Sequence, residues 1–567
     1  MRRPRLLAVL AGVATLSLAL AAVPMSTTGA ATQKNRAPTV KYGGVLPIAM
    51  PWGSILDNFN PLTPGGTGAT AGGTGSLIYE PLFYANPVTG KITSLLGTAY
   101  KWQDNNLQFV VTTRQGVKWS DGKPFSASDV AFTFNYLRRF PAFDTNAIWK
   151  SPLKSVKATN SDTVVFQFAS PYTPIFLQLV AQEIIPRHIW SKISNPVTFT
   201  NPKPVGTGPF LLKSYTSFRV TYVKNPNYWM AGLPYLNGVI MTAVKSNTTA
   251  ELLILNAGAA WTYDAITDPQ KTFVAAAPKY NHYWWPSVAL NLLYFNMTEA
   301  PFNDVAVRKA VAEALDTTVI TDRAYYGALP VGDPTAVTTG QLSTWVTPSV
   351  TSLEWHFSVS AALATLTAAG YKVVGGKLEA PDGTAFPTFN LLIGGPGWTD
   401  YISIAQTISL ELQAIGISTN IVQDTFATYY AALQTGHFDL AVCWSNNNNP
   451  TPYYEYYDLL SSKETAPVGS TANTNWERFS SPTVDAALSS YASTSDLAVQ
   501  KADMVTIEKA VLTQVPVVSL TARPNWFDYS TKYYVGWSSA SNPYNAGEAP
   551  DAFGGGGELI YLNVHRR

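Results

Sequence analysis

Residues 444–460 read WSNNNNPTPYYEYYDLL, four consecutive asparagines between a tryptophan-serine pair and a run of tyrosines. An amide offers both a donor and acceptors, so Asn446 and Asn447 suit neutral polar partners such as hydroxyls or peptide groups. Trp444 and Tyr453 flank them with flat faces that carry a polar handle. Covalent chemistry has thinner support. The five histidines, His188, His282, His356, His437 and His565, show no metal-ligand spacing. No G-x-S-x-G occurs, and Cys443, the only cysteine, has no base beside it in the sequence. Asp439, Glu455 and Asp458 could pair in space to cut a glycosidic bond, but no spacing marks them for it. The expectation is a binding protein without metal or cofactor, with a secreted carbohydrate-active enzyme as a remote alternative.

A second stretch, GGTGATAGGTG at 65–75, contains the pattern G-x-G-x-x-A of a dinucleotide site. That motif needs a strand before it and a helix after it, whereas NPLTP precedes it here and no Lys-Ser/Thr pair follows. It reads instead as a loop where backbone can approach a ligand closely, with Gly72 and Gly73 as the candidate positions.

The elements that must hold these residues are clearest over 388–444. Thr388–Ile393 has strand character, Tyr401–Ala414 is a helical run ended by Gly416, and Ile417–Val422 is a second strand. Thr425–Thr435 is a second helix and Phe438–Trp444 a third strand. This βαβαβ order implies a parallel sheet, and ligands of such sheets lie beyond the carboxyl ends of the strands. The loops leaving those ends are GGPGWTD, with Trp398, and SNNNNP, after Trp444. The asparagine run is therefore placed to line a cleft rather than to link domains. Elsewhere, Leu107–Thr113 reads as a strand, Asp121-Gly122 as a turn, and Ser126 with Asp129 as a capping box. In PFNDVAVRKAVAEALD, residues Val307, Ala310, Val311 and Ala314 share one helical face, capped by Asn303 or Asp304.

The 567 residues are too many for one core and should divide into two or more domains. With 46% hydrophobic and 13% charged residues, wholesale disorder is excluded. So low a charged fraction would also suit an acidic habitat, where carboxylates protonate and charge networks fail. MRRPR followed by the apolar run Leu6 to Val23 reads as an export signal cut near Thr28-Gly29-Ala30-Ala31 (1–30), with a retained membrane anchor as the alternative. No cysteine follows the apolar run, so no lipid-anchoring signal is expected. Cleavage takes the net charge from +2 to −1 by removing Arg2, Arg3 and Arg5. A nearly neutral chain argues against nucleic acid or an anionic membrane as the main partner. A single cysteine excludes an internal disulfide.

Several blocks resemble one family, the extracytoplasmic solute-binding proteins of peptide-type ABC importers, the oligopeptide and dipeptide class (solute-binding protein family 5). They are IYEPLFYANPVTGKITSLLGTAYKW, TTRQGVKWSDGKPFSASDVAFTFNYL, VGTGPFLLKSY, VKNPNYW, LYFNMTEAPFNDVAVRKAVAEALD, AAGYK, LELQAIGI and FDLAVCW, in order over about 42–545. The resemblance implies an α/β, periplasmic-binding-protein-like fold of type II (cluster C-like). It would have two lobes, an extra inserted subdomain and two crossing hinge strands that close on ligand. Lobe I would comprise 42–78, 202–289 and 517–567, the inserted subdomain 79–201, and lobe II 290–516. The crossings would fall near Trp285–Asn296 and Val517–Leu520. It also implies a peptide ligand, ABC permease subunits in the membrane as partner, no nucleic acid, a monomer, and a periplasmic or cell-surface location.

In peptide-binding members, W-x-x-D-Y-x-x-P after the strand resembling FDLAVCW supplies an acid for the peptide's α-ammonium. Here the stretch from Trp444 to Pro450 is one residue shorter and the acid is absent. A hydrogen bond to a charged group contributes about 1.5–3 kcal/mol net, so amides alone forfeit roughly tenfold or more in ammonium affinity. Two ligand classes follow: a peptide held through its main chain, or an oligosaccharide, which some members bind. Trp52, Trp285, Trp398 and Trp444 would stack on the sugar.

Overall fold

The computed structural model describes residues 40–51, 53–63, 74–338, 344–395, 398–445, 451–552 and 554–567. The expected contacts Trp52, Gly72, Gly73, Asn446 and Asn447 lie outside them, as does the N-terminal segment 1–39. Lys41–Arg567 forms one unit.

In chain order the strands that build the three larger sheets begin with β1 (Val45–Met50). Next come β2 (Gly97–Gln103), β3 (Gln108–Thr113), β4 (Leu153–Ala158) and β5 (Thr163–Phe168). They continue with β6 (Phe210–Thr216), β7 (Arg219–Lys224), β8 (Gly238–Ala243), β9 (Trp261–Thr262) and β10 (Asn281–Trp284). The last are β11 (Ser287–Phe295), β12 (Phe389–Gly394), β13 (Thr419–Asp424), β14 (Leu440–Trp444), β15 (Val517–Pro524) and β16 (Phe527–Ser530). A seven-stranded sheet runs β10-β16-β9-β1-β8-β7-β6, a five-stranded sheet β13-β12-β14-β11-β15, and a four-stranded sheet β2-β3-β5-β4. The last is antiparallel throughout and comes entirely from 97–168.

The chain passes between the two larger sheets twice. It leaves the first through Trp285-Pro286 into β11, and returns through Asn525-Trp526 after β15 has run its length in the second. β11 and β15 lie side by side, antiparallel, with register irregularities between Ser287 and Ala289 and between Asn291 and Leu292.

Within the second sheet, β12 pairs parallel with both β13 and β14, as the alternation of strands and helices requires. The connecting helices are α5 (Thr399–Leu412) and α6 (Phe426–Thr435). Gly416 ends the first connection with φ +78°, where a Cβ would meet the Leu378 nitrogen at 2.8 Å. Side chains along β14 alternate between two cores: Leu440 and Val442 pack with the helix Val305–Ala314, and Ala441 and Cys443 with α7 (Tyr453–Leu460). The Val305–Ala314 helix buries Val307, Ala310, Val311 and Ala314 and is capped by Asp304, which accepts from the Ala306 N–H at 2.8 Å. Arg308 on that helix is also buried. It donates to the carbonyls of Phe302, Gln514 and Val515 at 2.7–3.2 Å, which holds the turn leading into β15. In the inserted region Asp129 accepts from the Ser126 N–H at 3.0 Å, closing the box at the start of the helix Ala127–Arg139.

Candidate binding cavity

Beyond the carboxyl ends of β12 and β14 lies a cavity of about 430 Å³. Its aromatic wall is Trp398, Tyr401, Phe426 and Trp444. Phe426 stacks on Trp444 with centroids 6.1 Å apart and planes 9° from parallel, and Trp398 stands 6.0 Å from Trp444 at 51°. The local backbone makes this possible. Gly394 and Gly395 end β12; a Cβ on Gly395, at φ +71°, would come within 2.1 Å of the Trp398 ring, and one on Gly394 within 2.6 Å of Tyr429. Trp398 then begins α5, whose first turn carries Asp400.

The floor is a hydrogen-bonded set on the crossing strands. Asn291 of β11 donates to the Tyr325 hydroxyl at 2.8 Å and to Thr521 Oγ1 of β15 at 3.0 Å, and accepts from the Tyr401 hydroxyl at 3.0 Å. Tyr325 in turn donates to Asp400 Oδ2 at 3.1 Å. Burial raises the Asp400 carboxyl, and hydrogen bonds from the Tyr401 backbone and the Tyr325 side chain oppose the rise. Such a network fixes side-chain positions because every buried group has a partner.

The cation of the cavity is Arg523, near the end of β15. Its guanidinium lies 5.2 Å from the Trp444 ring centroid, and it forms no ion pair among the described residues. Asp400 is the one carboxylate among the described lining residues and feels Arg523 through space, while the guanidinium itself stands over an aromatic face. Asn247, Ala265 and Trp526 close the cavity from the side of the seven-stranded sheet.

Of the expected contacts that fall on described residues, the structure brings Trp398 and Trp444 together in this wall. Trp285 borders a smaller recess of about 90 Å³ that shares Tyr325, Asp400 and Trp526 with the main cavity. Its indole N–H donates to Asp528 Oδ1 at 3.0 Å and its ring meets Trp526 edge-on at 4.7 Å. Tyr453 is elsewhere: only 2% exposed, it opens α7 on the other face of the sheet and lines a different cavity. Of the three carboxylates weighed for glycosidic chemistry, Asp439 accepts from the Asn390 N–H at 2.7 Å. Glu455 accepts from Thr338 and Ser445 at 2.7–3.1 Å, and Asp458 belongs to the Tyr453 cavity. Asn291, Asp400, Phe426 and Arg523 carry no motif. For Asp400 and Phe426 the signal is position, since each stands in the first turn of a helix facing the cleft, whereas Asn291 sits in the middle of β11 and Arg523 near the end of β15 with nothing local to mark them.

The two-sheet architecture with an inserted four-stranded module, and a cleft lined from both larger sheets, matches known proteins. The family described as bacterial extracellular solute-binding proteins, family 5 Middle, matches residues 91–467. The chain belongs to this family. Among its relatives, protein XP55 of Streptomyces lividans is 26% identical over 445 residues, covering 74% of this chain and 74% of that one. The nickel-binding periplasmic protein of Escherichia coli K12 is 24% identical, covering 64% of this chain and 69% of that one. The fold is that of a periplasmic oligopeptide-binding protein of an oligopeptide ABC transporter from Thermotoga maritima. That structure has TM-score 0.83 and 23% identity, and covers 92% of this chain and 99% of that one. The same Thermotoga protein with mannohexaose bound has TM-score 0.77. This family-5 protein thus has the two-lobed, type II periplasmic-binding-protein fold. Among its described residues no helix is long and apolar enough to cross a membrane, and no cluster of His, Cys, Asp and Glu is arranged to hold a metal.

Proposed function

We propose that this chain is the substrate-binding component of an ABC importer, capturing oligopeptides in the tryptophan-walled cavity and delivering them to a membrane permease. The seven-stranded and five-stranded sheets act as the cores of two lobes, the four-stranded module as an inserted subdomain, and the passages at 285–286 and 525–526 as the hinge. The protein works outside the cytoplasm, as its family does, as a monomer and without chemistry of its own.

Arg523 carries the reading. A cation held over Trp444 in no ion pair, with Asp400 acting on it only through space, suits the terminal carboxylate of a peptide, whereas a neutral sugar would leave it without a direct charged partner in a partly desolvated site. The Asn446–Asn447 amides and Asn247 then serve peptide main-chain groups. An oligosaccharide remains the second reading, favoured by the continuous wall of Trp398, Phe426 and Trp444, which offers the flat apolar faces that sugar rings stack on.

Native mass spectrometry of the purified protein, with bound ligand released and weighed, separates them. Masses spaced by amino-acid residues establish the peptide reading; hexose spacing overturns it in favour of the sugar.

A further inference from the structure

A second cavity, of about 1000 Å³, lies between the inserted module and the helices behind the five-stranded sheet. Tyr172 enters it from the module side. Its hydroxyl is 3.5 Å from that of Tyr454, and its ring meets Tyr453 edge-on at 6.3 Å. From α7, Tyr453 and Tyr457 stack at 5.6 Å and 20°, and Tyr454 stands perpendicular to Tyr453 at 5.3 Å. The module is tied down beside them by Thr173, which donates to the Thr494 carbonyl at 2.8 Å.

Two carboxyl groups face these rings. Glu464 accepts from the Tyr457 hydroxyl. Asp458, largely buried, receives no hydrogen bond from any described residue and pairs with no cation among them. The charge of either carboxyl reaches Tyr172 as well, so rings and carboxylates converge on one space. Thr474 Oγ1, also on this wall, is buried without a partner. Asp485 nearby is already satisfied by the Ser462 N–H and hydroxyl at 3.0 and 2.6 Å.

Lys150 and Lys463 also line the chamber but form no ion pair with either carboxyl. Aromatic faces around a carboxylate pair held in no ion pair attract an organic cation twice, through the ring quadrupoles and through charge. We propose that this chamber is a second binding site, for an alkylammonium group, with Asp458 and Glu464 as its counter-charges and Tyr172, Tyr454 and Tyr457 as its walls. The group arrives either as a free amine or as a lysine side chain of a peptide. The site is independent of what the tryptophan-walled cavity holds.

Its pH dependence has a definite sign. Burial, with Glu464 and Glu455 adding to it, pushes Asp458 up to about 8. The other titratable groups around it are Lys150 on the module side, and Lys463, Asp485 and the tyrosines on the helical side. Alkylammonium stays charged to about pH 10, so binding strengthens as the pH rises from 6 to 9 and Asp458 ionises.

Calorimetry on the purified protein tests this with cadaverine, with 1-pentanol as its neutral counterpart, and with a lysine-containing tripeptide blocked at both ends. At least one amine probe is expected to bind where the alcohol does not, and Asp458→Asn to weaken it by about tenfold or more. Cadaverine alone responding identifies a free amine as the ligand; the tripeptide alone identifies a peptide side chain. Should Asp458→Asn not fold, Glu464→Gln and the wild-type comparison of amine with alcohol decide. The site is disproved if neither amine binds, or if both carboxamide variants bind as well as the wild type. Retention of amine binding in Trp398→Ala separates this result from the fate of the peptide reading.

Discussion

The two cavities are near opposites. One is walled by tryptophans at the carboxyl ends of β12 and β14 and holds the cation Arg523 in no ion pair among the described residues, with Asp400 the one carboxylate in the lining. The other is walled by tyrosines beneath the inserted module and holds Asp458 and Glu464, with Lys150 and Lys463 on its walls but in no ion pair with them among the described residues. Trp444 and Tyr453 are nine positions apart in sequence yet serve different cavities. The reason is geometric. β14, the central strand, delivers Trp444 to the carboxyl end of the sheet, and α7 packs on the face where Ala441 and Cys443 point. Neighbouring aromatic residues in a sequence are not evidence of one shared site when one stands at the end of a strand and the other on a face of the sheet.

Four changes would break or sharpen this contrast. The largest expected effect is that of Trp444→Ala, which removes the ring that stacks on Phe426 and carries Arg523. Ligand affinity of the first cavity should fall by about a hundredfold, as measured by calorimetry with the ligand recovered from the protein, while amine binding in the second stays intact. A parallel loss in both would merge the two sites. Arg523→Gln should weaken a peptide with a free carboxylate by about tenfold or more but leave its C-terminal amide unaffected; an equal loss for both would remove the carboxylate from the argument. Gly395→Ala should cost about 1–3 kcal/mol in denaturant unfolding, because the backbone is left-handed there and the new methyl meets Trp398. Wild-type stability would mean that the loop relaxes freely.

The smallest change per group concerns pH. Burial pushes the carboxyls of Asp264 and Glu548 up to about 7 and of Glu477 up to about 8. The folded chain therefore binds these protons more tightly than the unfolded one. Their stabilisation is complete below the ordinary carboxylate range and is lost as the pH rises through 7 and 8, by about 1.4 kcal/mol per group and unit. The melting temperature should accordingly be higher at pH 5 than at pH 8, and Glu477→Gln should flatten the difference. The reverse order would end the idea of a chain suited to acid, to which its low charged fraction also points.

How much of this was legible beforehand depended on periodicity. The βαβαβ run, the buried face of Val305–Ala314 and the cap at Asp304 followed from apolar spacing and cap chemistry, which are local. Trp398 and Trp444 could be placed because they stand in or at the start of strand-exit loops. Arg523 could not. It lies in a strand read only as far as Leu520, and its worth comes from standing over Trp444 in no ion pair, which no sequence displays. Asn291 was hidden for a similar reason: a polar residue within an apolar strand gains meaning only when Tyr325, Tyr401 and Thr521 converge on it. Tyr453 misled because composition says nothing about which side of a sheet a helix will choose.

The order of strands also sets a timetable for the chain as it is made. β16 sits between β10 and β9 in the seven-stranded sheet, and β15 completes the edge of the five-stranded one beside β11. Both arrive in the last tenth of the polypeptide, and Tyr228 donates to Glu80 and to Glu558, bridging residues 478 positions apart. Neither large sheet can close until synthesis is nearly done. The four-stranded module, built from 97–168 alone, is the one sheet of the three that can form early, so the chain waits on its last segments for both halves of the cleft.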